Sequence, residues 1–108
     1  MIVFVSCGAK KGSLASPAWR MYTGGYFKAL FNYAQRLASL ENIYIVSAKY
    51  GLIQSETIID TYEQQLGKLG SITLEQIREQ ASGIRVDPDV VVLGGMKYVS
   101  LVRNVFPH

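Results

Sequence analysis

Residues Ile43 to Ile53 read IYIVSAKYGLI. The first five, Ile43 to Ser47, form a nearly continuous apolar run rich in β-branched side chains, with little of the alternation that a half-solvated strand shows. Such a run suits a parallel strand covered on both faces. Where it ends, Ser47, Lys49, Tyr50 and Gly51 follow in quick succession, so polar and flexible residues stand where the chain leaves the sheet. Gly51 is expected to turn the chain, and Leu52 and Ile53 to return it to the core.

Two further runs have the same character, Ile2 to Ser6 and Val90 to Leu93. Between the first two strands, Tyr26, Phe27, Leu30, Phe31, Ala34, Leu37 and Ala38 recur at i, i+3 and i+4, one apolar stripe on a helix that begins at Gly24-Gly25. Upstream, Ser16 before Pro17 reads as an N-cap with proline in the first helical position, giving a short turn through Tyr22, and Thr23 reads as the cap of the longer helix. Thr73-Leu74-Glu75-Gln76 is a capping box, opening a helix with Leu74, Ile77 and Ala81 inward that stops near Gly83. Tyr98, Leu101, Val102 and Val105 mark a last helix ending at Pro107. Strand, helix, strand, helix, strand, helix predicts an α/β fold: a three-layer Rossmann-like sandwich on a short, mainly parallel sheet, in one domain over residues 1–108. Three strands leave edges that need a loop, an extra strand or a second subunit, so a homo-oligomer is expected.

The 108 residues suffice for one core, and 49% hydrophobic with 18% charged residues excludes a disordered chain. A net charge of +3 suits a polyanionic partner, yet the longest basic block is Lys10-Lys11. A single cysteine excludes an internal disulfide and a thiol zinc site, and the lone histidine, His108, is the last residue. We therefore expect no metal and no cofactor. The apolar opening MIVFVSCG is too short to span a bilayer and carries no positive segment before it, so no membrane partner is expected. A cytoplasmic setting, which suits the unpaired Cys7, follows.

Ligands of parallel sheets bind beyond the strand carboxyl ends. Here those ends run into Ser6-Cys7-Gly8-Ala9-Lys10-Lys11-Gly12, Ser47-Ala48-Lys49-Tyr50-Gly51 and Gly94-Gly95-Met96-Lys97-Tyr98. Each alone reads as ordinary turn chemistry. Together they point to one shared crevice. Ser6, Cys7 and Gly8 with Lys10 and Lys11 can cradle a phosphate or carboxylate, although neither the Walker loop nor the dinucleotide-binding glycine pattern is present. Cys7 reads either as a nucleophile activated by Lys10 or Lys11 or as a small packing residue. With no histidine at hand, acid or base work falls to Asp60, Glu63, Lys49 or a tyrosine. The chain has seven tyrosines, and Tyr22, Tyr50, Tyr62 and Tyr98 lie near segment ends, where a ring can stack on a base or simply pack.

The segments VSCGAKK, MYTGGYFKAL, IVSAKYGLI, IIDTYEQQLG and VVVLGGMKY, in this order, resemble the YaaA superfamily and its small bacterial and phage relatives over nearly the whole chain. The residues that carry the resemblance are Ser6, Cys7, Lys10 and Lys11; Tyr22 and Gly24; Ser47, Lys49, Tyr50, Gly51 and Leu52; and Tyr62 with Leu66. It implies a protein tied to DNA or to nucleobase modification. This chain is much shorter and has no evident helix-hairpin-helix segment, so what carries over is a site for a nucleotide or base.

The leading expectation is thus a crevice that recognises a nucleoside, nucleotide or nucleic-acid end. Cys7 amides, Lys10 and Lys11 would hold phosphate, Ser47 and Lys49 line the pocket, Gly94 and Gly95 shape the third strand end, and Tyr50 or Tyr62 stack on the base. Asp60 or Glu63 would serve N-glycosidic chemistry if the protein is an enzyme. The rivals are a non-enzymatic, oligomeric binding protein of phage type and sequence-independent DNA binding through surface lysines and arginines.

Overall fold

The computed structural model describes residues 1–84 and 89–106; the expected helix stop at Pro107 and the terminal His108 lie outside them. In chain order the elements are β1 (Ile2–Ser6), β2 (Ser16–Pro17), α1 (Ala18–Met21), α2 (Gly25–Leu37), β3 (Ile43–Ser47), β4 (Gly51–Gln54), β5 (Ile58–Ile59), α3 (Leu74–Ala81), β6 (Val90–Leu93) and α4 (Met96–Val105). The fold is mixed α/β, with a four-stranded sheet in the order β4-β3-β1-β6.

β1 pairs in parallel with β3, Val3 opposite Ile43, and with β6, Ile2 opposite Val90. The carboxyl ends of all three strands therefore share one edge of the sheet. Side chains alternate across β1. Val3 and Val5 join a core with Met21, Phe27, Phe31 and Ala34 of α1 and α2, whereas Ile2 and Phe4 join a second cluster with Val102 of α4. Burial on both sides explains why β1 and β3 read as continuous apolar runs.

The expected three-stranded sheet has a fourth strand. β4 runs antiparallel to β3, with Ser47 opposite Gly51 and Tyr44 opposite Gln54, and covers what would have been the open edge of β3. Gly51 allows this tight reversal because its φ is +76°, a left-handed conformation that favours glycine. The side chain of Gln80 on α3 then clamps the turn, accepting from the Leu52 amide at 2.8 Å and donating to the Tyr50 carbonyl at 2.9 Å. A β-carbon on Gly51 would collide with that amide.

Two expected helix starts are corrected. Ser16 and Pro17 form a short strand paired antiparallel with β5, and the helix begins at Ala18, because the Ser16 hydroxyl bonds back to the Leu14 carbonyl at 2.9 Å instead of capping. Thr23 does not cap α2 either. Its amide donates to the Lys10 carbonyl at 3.0 Å, and Gly24 takes the N-cap position. The capping box at Thr73 does form: the Gln76 amide donates to the Thr73 hydroxyl and the Gln76 side chain accepts from the Thr73 amide. None of the described helices is long and apolar enough to cross a membrane.

Candidate functional site

At the shared edge of the sheet, Ser47 closes β3 with its side chain fully buried. Its oxygen accepts from the backbone amides of Lys49 at 3.1 Å and Tyr50 at 3.0 Å, which fixes the turn into β4. Those two bonds occupy both hydroxyl lone pairs, so the Ser47 proton is directed to the Tyr62 hydroxyl, 2.7 Å away. Tyr62 in turn meets the Tyr22 hydroxyl at 2.7 Å. Three hydroxyl protons share two contacts, and one phenolic proton, on Tyr22 or on Tyr62, is left without a protein acceptor among the described residues. The cluster is deeply buried: Tyr22 is 1% and Tyr62 7% exposed.

Rings pack around these hydroxyls. Tyr50 meets Tyr62 edge-on at 5.4 Å between centroids, and the Lys11 ammonium sits 4.5 Å from the Tyr62 ring centroid, a cation–π contact. Lys49 lies in the same way over Tyr50, at 5.2 Å. Burial pushes the Tyr22 phenol up to about 12, against a smaller lowering by its hydrogen bond to Tyr62. Burial raises Tyr62 and Tyr98 as well, and for Tyr98 the bond with Cys7 adds to the shift. These tyrosines are therefore neutral donors and acceptors at physiological pH, not bases.

Beside the cluster lies an open cavity of about 290 Å³, lined by Cys7, Gly8, Ala9, Lys11, Lys68, Lys97 and Tyr98 with the amides Gln64 and Gln65. Its wall carries three lysines and no carboxylate. The Cys7 thiol donates to the Tyr98 hydroxyl at 3.4 Å, tying the end of β1 to the first turn of α4. No described group of three or more His, Cys, Asp or Glu is placed to hold a metal ion. A larger cavity of about 590 Å³ lies elsewhere, against α1 and α2. Size alone would favour that one; strand ends, lysines and the buried hydroxyls favour the smaller.

Of the residues named from the sequence, the structure brings Cys7, Gly8, Lys11 and Leu66 to the smaller cavity and joins Tyr22, Ser47, Tyr50 and Tyr62 in the cluster next to it. Ser6 is buried beneath Gly94, whose φ of +140° and close approach leave no room for a β-carbon. Gly95 is the N-cap of α4 and Gly51 the turn of the β3–β4 hairpin. Lys10 and Lys49 are exposed and outside the cavity lining. Asp60 and Glu63 are also exposed, and only the Asp60 carbonyl, not its carboxylate, meets a cluster residue, the Tyr50 hydroxyl at 3.5 Å. The sequence reading did not single out Gln64 and Gln65, although they stand within the quoted IIDTYEQQLG segment, or Lys68, which follows it in an irregular stretch. Tyr98, read from the sequence both as part of a helix stripe and as one of the tyrosines near segment ends, lines this cavity.

The hydroxyl cluster makes a direct prediction. Ser47→Ala and Tyr62→Phe each leave buried polar groups unpaired and are expected to cost about 1–3 kcal/mol in urea denaturation. The double variant should cost less than their sum by about 1 kcal/mol, since the second change removes an already broken contact. Strict additivity would mean that the two hydroxyls do not interact.

The fold and this edge define an α/β protein with a small, basic, tyrosine-backed crevice at its strand carboxyl ends. The chain belongs to the family described as "Family of unknown function (DUF6884)", whose match covers residues 2–107. No curated protein and no solved structure matches it.

Proposed function

We propose that the crevice binds the phosphoryl group of a nucleotide or of a nucleic-acid end. The observation that carries this reading is the cavity wall itself: Lys11, Lys68 and Lys97 converge there with no carboxylate to neutralise them. The first turn of α4 holds no acidic residue, and its N-cap, Gly95, makes no side-chain cap bond, so the partial positive charge of the helix end adds to the lysines. Behind the wall, the Tyr62 ring holds Lys11 through its cation–π contact. Membership of a wider YaaA-like group, a three-layer Rossmann-like arrangement and a cytoplasmic setting belong to the same proposal, supported by the motif order and by apolar clusters on both faces of β1.

Binding, not catalysis, is the function proposed. The carboxylates considered for N-glycosidic work, Asp60 and Glu63, stand outside the cavity lining. Thermal-shift titration at low ionic strength with pyrophosphate provides the test. Wild type should be stabilised, and the Lys11→Ala/Lys97→Ala variant should bind at least about ten-fold more weakly, as loss of charge-assisted hydrogen bonds implies. Lys10→Ala/Lys49→Ala, outside the cavity, should keep the shift. An unshifted wild type, or equal losses in both double variants, would refute a built anion site.

A further inference from the structure

We propose that the larger cavity, against α1 and α2, is a second and separate ligand site that takes a planar heteroaromatic ring of the nucleobase type. Its volume of about 590 Å³ falls within the range of small-molecule sites, roughly 300–1,000 Å³. The wall includes the buried aromatics Tyr22, Phe27 and Phe31 together with Trp19, which is 41% exposed and so within reach of a ligand from solvent. The Trp19 and Phe31 rings are nearly parallel, 16° apart in plane with centroids separated by 6.4 Å. Aromatic walls of this kind favour a flat π system over an aliphatic chain.

The polar groups of the mouth decide the class of ring. Lys28, Asn32 and Gln35 line the cavity at i, i+4 and i+7 of α2, one face of the helix. None of these side chains has a hydrogen-bond or ion-pair partner among the described residues. Each amide offers a donor and an acceptor together, which matches the mixed edge of a purine or pyrimidine. Charge sets this site apart from the basic crevice. Here Arg20 and Lys28 are accompanied by Glu56, so a neutral ring is better suited than a bare anion.

A narrow ribbon stands between the two cavities. The Gly12 amide donates to Met21, the Thr23 amide donates to Lys10, and Lys11 pairs with Tyr22. Lys11 lines the basic cavity, while Tyr22 and Thr23 line the aromatic one.

Trp19 is the only tryptophan in the chain, so tryptophan emission, excited at wavelengths beyond tyrosine absorption, reports on this cavity. With adenosine as probe, which carries no phosphate, wild type should show saturable quenching with half-saturation below about 1 mM, a free energy of about 4 kcal/mol. Ribose should give none. Asn32→Ala/Gln35→Ala changes only exposed side chains and should weaken adenosine about ten-fold. Lys11→Ala/Lys97→Ala should leave it unchanged, so the result is separable from the anion site. Quenching that rises linearly without saturation, or that survives the amide substitutions, would overturn the proposal; so would its loss in the lysine variant, which would assign adenosine to the basic crevice.

Discussion

Gly94→Ala is expected to be the most damaging single-methyl change in the protein, costing about 3–5 kcal/mol of stability. Two effects combine. Gly94 has a φ of +140°, a backbone region that side chains with a β-carbon rarely enter. The added carbon would also point straight at the Ser6 side chain and press on its backbone nitrogen, 3.2 Å away. Ser6 is 4% exposed at the end of a central strand, so it has nowhere to move. Gly95→Ala is the control: its φ is −68° and no atom lies within 4 Å of the added carbon. That change should cost about 1 kcal/mol or less, the difference between glycine and alanine at an N-cap. Urea denaturation of the two variants checks the contrast, and equal losses would show that the approach of Gly94 to Ser6 does not constrain the fold.

Alkaline pH should unfold the protein steeply. Tyr22 has an ordinary value of 10.0 and is held at about 12 in the folded state. A group whose folded value is raised binds its proton more tightly when folded, so its stabilising contribution is complete below pH 10 and is lost as pH climbs toward 12. For Tyr22 alone the two-unit difference corresponds to about 3 kcal/mol. Tyr62 and Tyr98 shift in the same direction, chiefly through burial, and steepen the loss. Against a total stability of about 5–15 kcal/mol, this is a large fraction. Urea midpoints should be level from pH 7 to 9 and fall sharply above pH 10, and Tyr22→Phe should flatten the slope even though it lowers the plateau. A midpoint unchanged to pH 12 would contradict the buried, neutral cluster.

Both effects arise behind the same crevice. Gly94 lets β6 and the start of α4 approach the end of β1, and the tyrosines fill the space behind Lys11. The proposed anion site therefore has a packed back wall that holds Lys11, with Lys68 and Lys97 exposed beside it, which suits recognition of a small charged group. The aromatic cavity lies across one ribbon from it.

Much of the framework is legible in the chain itself. The runs Ile2–Ser6 and Ile43–Ser47 specify strands because a strand buried on both faces needs apolar residues at nearly every position, a property of composition alone, and Val90–Leu93, half-buried at the sheet edge, keeps the same apolar character. The α2 stripe and the Thr73 capping box are equally local, since their partners lie within a few residues. The polar exit after Ser47 rightly marks a strand end. Its local pattern could not say that Ser47 would be buried and spoken for, or that Lys49 would stay outside.

Long-range packing decided the rest. β4 follows a three-residue turn and is too short to declare itself by periodicity, so its pairing with β3 depended on a glycine at +76° and on Gln80 from a distant helix. The hydroxyl cluster joins Ser47 and Tyr62, 15 residues apart, with Tyr22, 40 residues from Tyr62. Lys68 and Lys97 line the same cavity as Lys11 only because the irregular segment before α3 and the start of α4 reach the same sheet edge. Composition and spacing determined which elements form and where their ends would gather. Which side chains meet there was set by tertiary packing, because contacts across tens of residues leave no periodic trace in the chain.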